Sequence, residues 1–424
     1  MRRLKQAIHA RMHGAMLSVL MIAALTGYGA AQEKVKLHYF TWATGASSTY
    51  IEEDWIAPFV ADHPNVEIQH EAVGFAEFWD KLPVYIATGN APDIVHMSVG
   101  YVYDYAKEGL LENLQPYFDR DLNPGDFFME PFQAMRYPSM ETGDLYGIPY
   151  SFLMTTLYYN KDLFDAAGVS YPVRDWTWDT LRDASKLLTR DHDGDGTPDK
   201  YGFVSQNSYL LYDPLVHAFG GSILNEDYTQ VTLDSAEGVA AAEFLIDMIY
   251  QDRSAVNGGL NLFTDQTAAM AVMSTIELPY EREMGLNFDI AIIPEGPAKR
   301  VVRVWPDSFA IPSDAAHKEV AWEFIKYVIT RTEMDRYSGA RKVPVYRDLA
   351  LSPDWLEPEL MGDKTVFIES IAYGHPLEWR PAWGSWESKL RAALAPAWRG
   401  EIAPAIAVRQ AAEAIQAEID RVSQ

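Results

Sequence analysis

The chain has 424 residues, of which 48% are hydrophobic, 22% charged and 13% aromatic. That balance excludes the disordered and fibrous classes and supplies enough apolar surface for two or three globular units. The formal net charge of -25 excludes nucleic acid and anionic lipid surfaces as partners, because long-range repulsion opposes the encounter, and the lack of cysteine excludes disulfides, thiolate metal sites, a Cys nucleophile and an acylated Cys anchor.

Residues 1–31 read as an export signal. Arg2, Arg3, Lys5 and Arg11 form a basic start with no acid, Ala15 to Leu25 is an apolar run, and Gly29-Ala30-Ala31 supplies a small-residue end. The run is too short for a permanent membrane span, so cleavage after Ala31 and a periplasmic, soluble mature chain are expected.

Val35, Leu37 and Tyr39 alternate as a strand does, and Val66 and Ile68 alternate again. Thr49 followed by Glu52 predicts a capping box opening a helix whose stripe is Ile51, Trp55, Ile56 and Phe59, and residues 76–88 predict a second helix. Asp93 to Met97 predicts a short buried strand. Strand and helix taking turns imply an α/β fold with a parallel sheet covered on both faces. Ligands of such sheets sit beyond the carboxyl ends of the strands, here near Trp42 and near Ser98 to Tyr101.

Further along, Asp191, Asp193, Asp195, Thr197 and Asp199 fall at the first, third, fifth, seventh and ninth positions of a loop with Gly196 at the sixth. Alternating oxygens about a glycine turn suit calcium, but the twelfth position, where a bidentate Glu would complete the shell, is Gly202. A structural calcium site and a solvated Asp/Gly turn are the two readings; no other cofactor is expected. Val239, Ala242, Leu245 and Ile249, then Val408, Ala412, Ile415, Ile419 and Val422, form helical core stripes. No Gly-Lys dipeptide occurs, so there is no phosphate-binding loop, and neither G-x-S-x-G nor H-E-x-x-H appears.

Several segments carry a resemblance: FVADHPNV at Phe59 to Val66, ATGNAPDI at Ala87 to Ile94, LYGIP at Leu145 to Pro149, LYYNKDLF at Leu157 to Phe164, and FAIP at Phe309 to Pro312. In that order they resemble the extracellular solute-binding proteins of ABC importers, in the sugar-binding group that includes maltose-binding protein. The resemblance implies a two-lobed α/β fold of the periplasmic-binding-protein type (type II), with doubly wound sheets in each lobe and a ligand cleft between them. It places one lobe at 32–148 plus 306–342 and the other at 149–305 plus 343–424, with hinge crossings near 149–154, 301–307 and 342–345. It also implies a monomer that closes by hinge motion on a small saccharide and delivers it to ABC permease subunits whose ATPase is a separate chain. A secreted carbohydrate-active enzyme, working through two carboxylates across a cleft, is the rival reading.

A sugar shows apolar C–H faces and a rim of hydroxyls, so its receptor needs flat aromatics and fixed polar groups. Trp42, Tyr101, Tyr209, Trp305, Trp383 and Trp386 are the candidate aromatics. Tyr209 and Trp386 fall at positions similar to sugar-stacking aromatics of that group, Tyr101 follows the strand where it contacts ligand, and Trp305 adjoins a crossing. Ser151, Asn207, Glu277 and Asp307 are candidate hydroxyl partners, the carboxylates accepting two hydroxyls at once. The sequence departs from the maltose-binding pattern at Met97, Gly100 and Leu153, which argues against maltose itself.

Overall fold

The computed structural model describes residues 34–206, 210–275, 285–331, 342–356, 364–376 and 383–423. The export segment therefore lies outside the described residues. Strands β1 (Val35–Thr41), β2 (Val66–Ala72) and β3 (Ile94–Ser98) open the chain, and β1 pairs in parallel with both of the others. The helix Phe75–Ala87 makes the connection from β2 to β3 and buries Phe78 and Leu82. The connection from β1 to β2 differs in detail from the capping-box expectation. Its helix starts at Ala46 behind Gly45, and the Thr49 hydroxyl, inside the helix, donates to the Gly45 carbonyl. Gly45 opens it at φ 62°, a left-handed conformation that glycine adopts without a Cβ penalty. Residues Ile51–Ile56 are wound as a π-helix, which still turns Ile51 and Trp55 into the core.

A small hairpin of β4 (Arg136–Tyr137) and β5 (Asp144–Leu145) precedes β6 (Ile148–Asn160), a strand buried along its whole length. The second half of the molecule holds β7 (Tyr201–Ser205), β8 (Ala255–Asn257), β9 (Ala268–Ser274) and β10 (Phe288–Ala291). After these come β11 (Val302–Ala310), β12 (Val343–Pro344) and β13 (Gly374–His375). Strand order runs β2-β1-β3-β11-β6-β9-β7-β8, with β10 and β12 also on β6 and β13 on β11.

Two long strands tie the halves together. Ile148 to Met154 of β6 pair with β11, and Thr155 to Tyr159 pair with β9. Strand β11 pairs through Val302 and Arg303 with β13 and through Asp307 to Ala310 with β3. The sheet is therefore mixed where a purely parallel one was expected: β11 is antiparallel to β3 and β6, and β6 is antiparallel to β9 and β10. The physical reason is direction of travel. The chain leaves the first half along β6 and returns along β11, and successive crossings of one boundary run opposite ways. Away from the crossings, β7, β8 and β9 keep the parallel pairing that helical crossovers impose.

The helix Ala236–Tyr250 covers the second half and packs on Pro404–Ser423, which packs in turn on Trp383–Trp398. Of the stripes read from the sequence, Ala242 and Leu245, and Val408, Ala412, Ile415 and Ile419, lie in the core. The halves also touch outside the crossings, where the Tyr103 and Tyr228 rings meet edge-on at 6.1 Å. Among the described residues no helix is long and apolar enough to cross a membrane.

Candidate functional site

The crossing strands build the floor of the site. On β11, Arg303, Trp305 and Asp307 share one face because side chains alternate along a strand. Register sets Asp307 opposite both Ser98 of β3 and Ser151 of β6, while Pro344 of β12 lies opposite Ser151 on its other side. Four strands thus align Ser98, Asp307, Ser151 and Pro344 in one row. A register shift against β6 falls between Asp307 and Ser308, where β11 takes up its pairing with β3. Trp305 is half-buried with the Arg303 guanidinium 4.5 Å from its ring centroid, and Arg303 itself is fully buried. The Lys342 ammonium pairs with the Asp307 carboxylate.

The wall rises from the carboxyl ends of β1 and β3. Trp42, directly after β1, packs its half-buried ring against Phe75 at 5.5 Å, Phe78 at 5.0 Å, Trp79 at 5.8 Å and His96 at 5.0 Å. Tyr101, on the helix Val99–Lys107, lies on Trp79. His96 joins wall to floor. It is completely buried and accepts from or donates to the Tyr39 hydroxyl at 2.7 Å through Nε2. Loss of solvent, then the nearby charge of Lys342 and the imidazole of His70, hold its pKa well below the usual histidine range, so it is neutral. Burial pushes the phenols of Tyr101 and Tyr105 up, the latter to about 12.

Of the residues singled out from sequence, the structure brings Ser151, Trp305 and Asp307 together on the floor and Trp42 and Tyr101 together on the wall. Asn207, Tyr209 and Glu277 lie outside the described residues. Trp383 opens the helix Trp383–Trp398. Trp386 is 1% exposed and belongs to the hydrophobic core, where the neighbouring helix Pro404–Ser423 covers this segment, so its ring offers no open face to a ligand in this conformation. Sequence reasoning missed Trp79 and Phe75. Their spacing with Phe78 looks like an ordinary core stripe, yet Phe75 remains 50% exposed at the edge of the wall.

The acidic loop is a turn braced by its own carboxylates. Asp191 accepts from the Gly194 and Gly196 amides, Asp193 from Asp195, Asp195 from Thr197, and Asp199 from His192. Those amides, led by that of Gly196, draw the Asp191 pKa down. Asp191, Asp193 and Asp195 each bring a carboxylate oxygen within 4.8 Å of the others. The twelfth position cannot carry a glutamate, because a Cβ on Gly202 would fall inside the Ser185 backbone.

A family of bacterial extracellular solute-binding proteins matches residues 42–334. The chain belongs to that family. Its relatives include the maltotriose-binding protein of Pyrococcus abyssi, 23% identical over 328 residues that cover 74% of this chain and 65% of that protein. The galactooligosaccharide-binding protein of Bacillus subtilis is 23% identical over 385 residues, 87% of this chain and 86% of that one. Among solved structures, the sugar-binding protein MalE of Xanthomonas citri superimposes with a TM-score of 0.79 at 18% identity, covering 92% of this chain and 98% of that chain. This solute-binding protein accordingly has the two-lobed fold, with β6 and β11 as strands shared by the lobes.

Proposed function

We propose that this solute-binding protein is the sugar receptor of an ABC-type importer: it takes an oligosaccharide between its lobes and hands it, unaltered, to permease subunits driven by a separate ATPase. The observation that carries the reading is an aromatic wall set beside a polar row. Trp42 and Trp79 supply flat faces for sugar C–H groups, and Ser98, Ser151 and Asp307 supply hydroxyl and carboxylate partners on strands that belong to both lobes. Relatives that bind maltotriose and galactooligosaccharide support the ligand class. A ligand touching wall and floor gains contacts that exist only in the closed form, and so shifts the population toward it.

The same residues support binding without turnover. Glycoside hydrolysis needs a carboxylic acid and a carboxylate facing each other across the bond. Asp307, the carboxylate on the floor, is neutralised by Lys342. Residues 1–31 support export to the extracellular side of the cytoplasmic membrane.

Thermal unfolding across a panel of malto-, galacto- and arabino-oligosaccharides tests the reading. One class should raise the melting midpoint and be recovered chemically unchanged. A midpoint raised only by peptides or polyamines, or cleavage of the saccharide, would refute it.

A further inference from the structure

The closest ring contact of the wall is unlike its neighbours. Trp79 and Tyr101 stack with centroids 3.6 Å apart and planes 13° from parallel. That separation is the van der Waals thickness of two rings, so they lie face to face with almost no lateral offset. Aromatic pairs prefer offset or edge-on arrangements, since the negative faces of two rings repel. The other contacts made by Trp42 and Trp79 within the wall follow that preference: their centroids lie 5.0 to 6.0 Å apart in tilted or edge-on pairs.

A second, independent feature sits on the same indole. Trp79 Nε1 is buried and has no hydrogen-bond acceptor among the described residues. A buried donor left without an acceptor is unfavourable. The platform thus has one face covered by a ring in an unfavourable stack and one donor awaiting an acceptor. A saccharide satisfies both: a C–H face suits the indole better than the electron-rich face of a phenol does, and a hydroxyl standing at the edge of the indole, in its plane, accepts from Nε1.

We propose that Trp79 is a saccharide-stacking platform and that Tyr101 is its displaceable cap, covering the indole in the absence of ligand and swinging off it when a sugar ring takes its place. Tyr101 is free to do so. It is half-buried, stands near the start of its helix, and its hydroxyl has no hydrogen-bond partner among the described residues. The cap sets specificity, because only a ligand that gains more from the indole than the phenol does will open it. This inference rests on the saccharide reading above.

The test uses the full chain labelled with 5-fluorotryptophan, the same oligosaccharide panel as probes, and the Trp79→Phe variant to assign the Trp79 fluorine resonance by its loss. In the wild-type protein that resonance should shift when the saccharide that raises the melting midpoint is added. Tyr101→Ala, with nothing to displace, should bind that saccharide about two- to fivefold more tightly, and Trp79→Leu about tenfold more weakly or worse. A Trp79 resonance unmoved by bound saccharide makes the pair a packing contact and overturns the proposal. Tyr101→Ala weakening binding as Trp79→Leu does overturns it too, since Tyr101 is then the platform. No melting shift with any panel member removes the saccharide reading itself, and the cap with it.

Discussion

Lys342, the residue before β12, and Asp307 of β11 form an ion pair beside the row where β3, β11, β6 and β12 meet side by side. The side chains are only 16% and 18% exposed, so the pair is screened less than a surface one. Lys342→Met removes the cation from a carboxylate in a confined site. The expected loss is about 1–3 kcal/mol, between the values for exposed and fully buried pairs, read from urea unfolding. Asp307→Asn in the Lys342→Met background should recover part of it, and no recovery would show that the two groups are energetically independent.

His96 gives the fold an acid-side weakness. Its folded-state pKa is depressed by burial, so on unfolding the ring takes up a proton wherever the pH lies below its ordinary value of about 6.5. The stability it permits is complete above that pH and declines as pH falls through it, by at most about 1.4 kcal/mol per pH unit. Urea unfolding at pH 7.5, 6.5 and 5.5 should show a steeper decline for the wild type than for His96→Asn. Parallel declines would mean that His96 is not the group responsible. His70, whose pKa burial also lowers, adds a smaller slope of the same sign that persists in the variant.

Trp386→Ala should act on stability first. A fully buried indole replaced by a methyl group leaves a cavity, with an expected cost of about 3–5 kcal/mol. Calorimetry together with saccharide titration separates the outcomes: weakened binding with an unchanged melting midpoint would put the ring in the cleft instead of the core.

Gly202→Ala tests how the acidic loop is anchored. The added Cβ collides with the Ser185 backbone, which has no flexible end to yield, and the expected loss is about 1–3 kcal/mol in urea unfolding. A neutral result would mean that the helix Trp178–Leu188 moves away from β7 easily.

What the sequence made legible was local. The alternation at Val35 to Tyr39 and the stripes at Val239 to Ile249 and Val408 to Ile419 report a period of two or of 3.6, which neighbouring residues alone decide. Asp307 and Ser151 are legible as polar residues near the candidate aromatics, and strand pairing sets them side by side. Partners decided elsewhere in the chain stayed hidden. The antiparallel run of β11 between β3 and β6 joins segments far apart in sequence, and Lys342 reaches Asp307 across 35 residues. The resemblance places Trp386 among sugar-stacking aromatics, and only the packing of the folded chain shows it as core. Trp79 fails in the opposite sense, since its spacing reads as core while its ring stands in the wall.

The absence of cysteine makes a paired-label distance measurement clean. Spin labels at Asp119→Cys, on the exposed side of the first lobe, and at Glu243→Cys, on the exposed side of the second, report the interlobe distance by pulsed electron resonance. With the saccharide that raises the melting midpoint, the distribution should narrow and shift as a unit to a new mean. A bound saccharide that leaves the distribution where it was would show two lobes that do not move on their ligand.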